Sequence, residues 1–224
     1  MVEQLIQVTM KNLRIIYFIT AILAFTLVGC EKKYDELYRV TYYPIMTVKG
    51  DLFMTVPKGS AFTDPGATAV VGSDATTVTV TGSVDPNKIG TYSLTYTAVN
   101  PDGFEVTSSR VVGVYDSSVV ANDFSGSYAR STNGSLAVWT KMAPGMYEVF
   151  NPGGAPGTDL TIHVFNTTGS IIIVPSQVSS DGSITSCTNI DGGSDITMNT
   201  ATNTYAWHVV NPGYGTSLRT FTKK

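Results

Sequence analysis

Thr91-Tyr92-Ser93-Leu94-Thr95-Tyr96-Thr97-Ala98 is the stretch that decides the fold class. Tyr92, Leu94, Tyr96 and Ala98 fall on one side of an extended chain, and Thr91, Ser93, Thr95 and Thr97 fall on the other. A period of two with one apolar face belongs to a half-buried antiparallel strand. Asn100-Pro101-Asp102-Gly103 then turns the chain, and Phe104 to Tyr115 returns beside it.

Reading outward, the same signal recurs. Leu52 to Val56 runs into the turn Pro57-Lys58-Gly59, Ala67 to Val71 into Gly72-Ser73-Asp74, and Thr76 to Thr81 into Gly82. Short strands separated by turns at this spacing predict a β-sandwich over residues 44–115. No amphipathic helix follows residue 30. Gly, Thr, Ser and Asn are abundant, and only 14% of residues are charged. The chain reads as all-β.

Lys88-Ile89-Gly90-Thr91-Tyr92-Ser93-Leu94 occupies the place of the immunoglobulin pattern in which a corner tyrosine lies two residues before a cysteine. Leu94 stands where that cysteine would be, so packing replaces a disulfide. Together with Phe62-Thr63-Asp64-Pro65-Gly66-Ala67 and Gly82-Ser83-Val84-Asp85, this segment resembles the bacterial Ig-like domain first noted in a pesticidal crystal protein. The resemblance covers about 70 residues. It implies a fold and no activity, since such domains act as spacers or binding modules.

Residues 116–123 have polar ends and no alternation, and they read as a linker. Beyond them, residues 124–224 form a second domain that opens with Phe124-Ser125-Gly126-Ser127-Tyr128. Leu136 to Thr140, Met146 to Phe150, Leu160 to Phe165, Ser170 to Val174, Ser183 to Thr188, Thr204 to Val210 and Thr216 to Phe221 read as strands. The turns between them are rich in Gly, Asn and Asp, which predicts an antiparallel β-meander curled into a small barrel or sandwich. The motif Phe-x-Gly-x-Tyr, the later Asp-Gly-Ser-Ile and the Thr-Lys ending resemble a Bacteroidetes domain of unknown function. That domain follows Ig-like domains in lipoproteins encoded near glycan-uptake systems. Within it, Tyr147 to Gly153 echoes Trp207 to Gly213, each a strand entering Asn-Pro-Gly. If both turns lie at one end of the domain, they form one rim.

The N-terminus places the protein. Lys11 and Arg14 precede an apolar run from Ile15 to Val28, which suits a secretory signal and is short for a bilayer span of about 20 residues. Met10 is a better signal start than Met1. The run ends Leu27-Val28-Gly29-Cys30, which resembles the bacterial lipobox. The resemblance implies cleavage after residue 29, lipidation of Cys30 and membrane attachment through the lipid. Two or three acyl chains hold stably where one does not. The alternative is an uncleaved anchor with an incidental cysteine. Glu31-Lys32-Lys33-Tyr34-Asp35-Glu36 is similar to the surface-export signal of Bacteroidetes lipoproteins. The expected location is the outer membrane, facing outward, with residues 30–43 as a tether.

Without Lys11, Arg14 and Glu3 the mature chain carries 12 basic and 16 acidic residues, a net −4. With no basic stripe, nucleic acid is a poor partner. Once Cys30 is acylated, Cys187 is the only thiol and no internal disulfide is possible.

His163 and His208 both fall inside strands, no Gly-x-Ser-x-Gly elbow exists, and zinc-ligand spacings are absent. No catalytic residues, metal site or cofactor are expected. Asp64, Asp74, Asp85 and Asp102, or Asp181, Asp191 and Asp195, lie in loops, where aspartates more often serve turns than calcium. Aromatic rings beside polar groups are the candidate ligand-binding residues: Trp139, Tyr147, Trp207 and Tyr214, with Phe150 nearby. Tyr205, Trp207 and Val209 also alternate as core residues would. Tyr214, between two glycines, is the ring most expected to stand free. The leading expectation is a non-enzymatic binding or accessory lipoprotein of a glycan or nutrient uptake system, with the Ig-like domain as spacer and outer-membrane transporter components as partners. A structural or protein-interaction lipoprotein is the alternative. A glycoside hydrolase type is third, since paired carboxylates are set by the fold.

Overall fold

The computed structural model describes residues 40–224. The signal segment, the start codon, Cys30 and most of the tether lie outside the described residues. Tyr42–Lys224 form one compact unit, and its regular structure is β throughout apart from a single 3-10 turn at Ser117–Val119.

The first half is a seven-stranded sandwich. One sheet holds β1 (Pro44–Val48), β3 (Ala67–Val71) and β4 (Asp74–Thr76). The other holds β2 (Phe53–Pro57), β7 (Glu105–Tyr115), β6 (Gly90–Val99) and β5 (Thr79–Thr81), in that order. The run Thr76 to Thr81, expected as one strand, is broken so that β4 and β5 belong to opposite sheets. β6 buries Leu94, Tyr96 and Ala98 on the expected face. The corner tyrosine is in place, its Tyr92 hydroxyl donating to the Lys88 carbonyl at 2.7 Å.

The second half closes on itself. β8 (Gly126–Arg130), β9 (Leu136–Ala143), β10 (Met146–Phe150), β11 (Thr161–Thr168), β12 (Ile171–Val178), β13 (Ile184–Thr188), β15 (Thr204–Val210) and β16 (Leu218–Lys223) each pair antiparallel with the next. β16 then pairs with β8. This is an eight-stranded up-and-down barrel, with the two-residue β14 (Ile196–Thr197) attached beside β12. Closure leaves no exposed edge in the ring.

β12 runs through Pro175 to Val178, further than expected from the sequence. Proline costs a ladder bond, and the register shifts between Val174 and Gln177. The Gln177 side chain makes good the loss, accepting from His163 N–H and donating to His163 C=O, both at 2.7 Å.

The barrel is filled. Tyr128, Trp139, Tyr147, Tyr205, Trp207 and Phe221 stack through its centre with ring separations of 4.7 to 6.2 Å. Such pairs favour tilted or offset geometry and add to the burial of their area. The Trp139 Nε1–H donates to the Tyr205 hydroxyl at 3.0 Å, so no indole N–H is stranded there.

The sandwich lies along the flank of the barrel. The last six residues of β7, Arg110 to Tyr115, are buried on both faces. Val112 and Val114 look into the sandwich, whereas Val111, Gly113 and Tyr115 look at the barrel. β11 shows the matching pattern from Val164 to Thr167. A Cβ at Gly113 would lie 2.4 Å from Phe165. Phe53 stacks on His163 at 3.9 Å. The Asp116 N–H donates to Thr167 C=O at 2.8 Å. The stretch read as a linker is also held down: Val119 is buried, and the Asn122 amide donates to Asn166 Oδ1 and the Gly169 carbonyl.

Candidate binding site at the barrel mouth

In an up-and-down barrel, alternate connections share an end. The loops after β8, β10, β12 and β15, residues 131–135, 151–160, 179–183 and 211–217, therefore form one rim. It lies opposite the end at which residues 116–125 enter. The Asn-Pro-Gly loops of the sequence echo are two of the four.

Hydrogen bonds knit this rim together. Asn133 Nδ2 donates to Gly154 C=O at 3.0 Å, Ser180 Oγ to Asp159 C=O at 3.0 Å, and Asn211 Nδ2 to Thr185 Oγ1 at 2.6 Å. Asn151 opens its loop in a left-handed conformation at φ 53°, a region Asn enters more readily than most residues. Its side chain donates to Leu136 C=O and accepts from Ala155 N–H, both at 2.9 Å.

The loop from Pro152 to Gly154 turns inward and plugs the mouth, and its three successive carbonyls are all captured. Pro152 C=O accepts from Trp207 Nε1 at 2.9 Å. Gly153 C=O accepts from Arg219 Nη1 at 3.0 Å. Gly154 C=O accepts from Asn133 and, at 3.4 Å, from Arg130 Nη1. Two glycines permit this approach: a Cβ on residue 153 would sit 2.0 Å from the Tyr214 ring, and one on residue 154 would sit 2.9 Å from Arg130 and Phe221.

Arg130 and Arg219 face the interior beneath the plug. Arg219 is only 7% exposed. The Nε of each is buried with no hydrogen-bond partner. Among the described residues, the ion pair found is that of Arg110 with Asp64, and neither of these two arginines has a carboxylate at ion-pair distance. Burial, then the positive charge of Arg130, holds the pKa of Arg219 below the usual arginine value. The Tyr214 ring covers the Arg219 guanidinium at 4.9 Å. Tyr214 also forms a wall of a cleft of about 640 Å³ on the outside of the rim, with Asn211, His208, Thr216, Ile184 and Ile190 among its other walls.

The four predicted aromatic site residues are thus divided. Trp139, Tyr147 and Trp207 are buried in the barrel core and present no ring face to a ligand. Their positions alternate on strands of a closed barrel, which sends them inside. Tyr214 does not stand free: it is half-buried, leaning back on Gly153 and Arg219, with its hydroxyl 3.3 Å from Thr158 Oγ1. It is the one predicted ring that borders the cleft. Phe150 is exposed. Sequence reasoning did not find Arg130 and Arg219. The signal lay in their inward strand parity, Arg219 sharing a face with Phe221 and Arg130 pairing with it.

Most of the groups weighed for other chemistry are otherwise engaged. His163 lies under Phe53, and burial lowers its pKa despite the opposing pull of Glu148. His208 Nδ1 is 2.7 Å from Thr216 C=O. Burial pushes the Cys187 thiol up. Asp64 is paired with Arg110, and Asp85 and Asp181 each accept from backbone N–H groups in their own turns.

Residues 46–114 match the family model described as bacterial surface protein, Ig-like domain. The sandwich is thus similar to the Ig-like domains of bacterial surface proteins. The Ig-like resemblance read in the sequence therefore stands for residues 46–114. No curated protein matches the chain. Among solved structures, a lipoprotein from Bacteroides thetaiotaomicron is similar at 25% identity and a TM-score of 0.34, with 81% of this chain and all of that one covered. The M60 catalytic domain of Clostridium perfringens ZmpB with its two CBM51 domains is similar at 15% identity and a TM-score of 0.30, covering 81% of this chain and 21% of that one. A structure of CBM51-2 in complex with GlcNAc and INT domains from the same protein is similar at 14% identity and a TM-score of 0.30, covering 80% of this chain and 43% of that one.

Proposed function

We propose that this chain is a lipid-anchored protein of the bacterial cell surface whose barrel mouth binds a saccharide ligand, as a non-enzymatic component of a glycan or nutrient uptake system. One observation carries this reading: the four-loop rim, which gathers amide, hydroxyl, guanidinium and aromatic groups at one end of a filled barrel beside a cleft of about 640 Å³. Ligand sites combine concave apolar surface with a few convergent polar groups in this way. The Ig-like domain supports the barrel along its flank, and the lipobox-like Leu27-Val28-Gly29-Cys30 supports the anchor. A glycan microarray probed with the detergent-solubilised full chain should show retention of a defined saccharide set, and absence of all glycan binding overturns the reading. Labelled palmitate should be incorporated, and should be lost in Cys30→Ser.

A second reading has its own support. Val178, Ile184, Ile190 and Val210 are exposed apolar residues on and beside the cleft. Contiguous patches of this kind mark protein contacts. In that reading the partner is another outer-membrane component, and it co-purifies with the wild-type chain but not with Ile184→Glu.

A further inference from the structure

We infer that Arg130 and Arg219 form an anion seat inside the barrel mouth, so that the saccharide bound there is an acidic one, carrying a carboxylate. This rests on the saccharide-binding reading above and narrows it to a chemical class. Two like charges held together under a loop, each with an unpartnered buried Nε and with no carboxylate at ion-pair distance, are an unfavourable arrangement. Apolar side chains of similar volume would fill the barrel at lower cost, as they do at most of its other inward positions. In place of a counter-ion, the seat holds the carbonyl oxygens of Gly153 and Gly154. These two adjacent acceptor atoms meet two guanidinium groups, which is the hydrogen-bonding pattern of a carboxylate, without its charge.

A carboxylate replacing those oxygens takes the same donors in charge-assisted bonds, roughly twice as strong as neutral ones, and uses the free Nε edges in the forked geometry that guanidinium favours. Two features let the exchange happen. The plug is a loop with positive φ at Asn151, Gly154 and Gly157, and its hydrogen bonds to Trp207, Arg219, Asn133 and Arg130 all run through its carbonyl oxygens. Tyr214, which covers Arg219, belongs to the loop across the mouth from the plug and borders the outer cleft, so its displacement joins cleft to seat. The remaining sugar hydroxyls then meet Asn133 and Thr158 on the rim.

Isothermal titration of the full chain in detergent tests this with three probes: glucuronate-containing oligosaccharides, the matching neutral glucose oligosaccharides and inorganic phosphate. Binding of the acidic sugar is expected, weakened by added salt and by roughly tenfold or more in Arg130→Gln and in Arg219→Lys. Arg130 is the less buried of the two, so Arg130→Gln decides the matter should Arg219→Lys fail to fold. Equal binding by the variants overturns the assignment of the two arginines. Preference for neutral glycans overturns the anion seat and leaves the saccharide reading standing. Phosphate binding as tight as the acidic sugar overturns the saccharide selectivity, and failure of all glycans to bind removes the reading on which the inference rests.

Discussion

Arg110 in the sandwich and Arg219 in the barrel are both buried on β-strands, with relative exposures of 0% and 7%. Their surroundings differ in kind. Arg110 pairs with Asp64, donates to the Tyr96 hydroxyl at 2.6 Å and to Asp51 C=O at 2.8 Å, and reaches the Lys49 carbonyl as well. Tyr96 in turn donates to Asp64 at 2.7 Å. Burial pushes the Tyr96 pKa up to about 12, with the Asp64 hydrogen bond acting the same way, so the phenol stays protonated and remains a donor. The network ties the loop before β2 and the loop before β3 to the centre of β7. Arg219 has one carbonyl contact, a ring and another arginine and, among the described residues, no anion. A satisfied buried charge organises a fold. An unsatisfied one breaks the local rules of a core, as residues at functional sites do.

The largest effect that bears on this contrast is expected from Arg110→Met. It leaves Asp64 without its counter-ion and removes donors from two loop carbonyls, at a cost of about 3–5 kcal/mol. Urea unfolding should show a large drop in midpoint. A loss within error would mean that the Arg110 network holds nothing together.

Gly113→Val asks whether the two halves depend on each other. The added side chain meets Phe165 and should cost about 1–3 kcal/mol. Limited proteolysis should then cut near residues 116–123 faster than in the wild type. Unchanged protection would separate the halves.

Acid titration sharpens the comparison further. For Asp64, burial raises the pKa, but the hydrogen bonds from Tyr96 and the Gly66 backbone, with the charge of Arg110, outweigh it and hold the value below 3.8. A depressed folded pKa contributes stability above the unfolded value, and that contribution is lost as pH falls through the folded one. Wild type should therefore lose stability below about pH 4, and Asp64→Asn should flatten that limb while lowering stability at neutral pH.

Tyr92→Phe removes one hydroxyl bond at the sandwich corner and should cost about 1 kcal/mol. Smallest of all, Arg219→Met should leave stability within about 1 kcal/mol of wild type or raise it, because a buried charge without a counter-ion gives way to an apolar side chain. A loss like that of Arg110→Met would erase the distinction between the two sites.

Local pattern carried much of the architecture. The alternation in Thr91 to Ala98, the corner tyrosine and the Gly- and Asn-rich turns depend only on neighbours in the chain, and they specify strands, one sandwich and a meander. The lipobox-like end at Cys30 is also a property of sequence. Three things depended on distant contacts instead. Meeting of β16 with β8 closes the barrel, and closure sends Trp139, Tyr147 and Trp207 inside, where open sheets would have left either face possible. Packing of β7 along β11 buries a strand that local alternation leaves half exposed. The mouth needs residues 130, 153, 154, 214 and 219, which lie up to about 90 positions apart and become neighbours only when alternate loops share one end of a barrel. Sequence therefore determined which segments extend and turn, because that is decided by side-chain periodicity. Tertiary structure decided which arginine is paired and which is not, because charge compensation is a matter of distance in space.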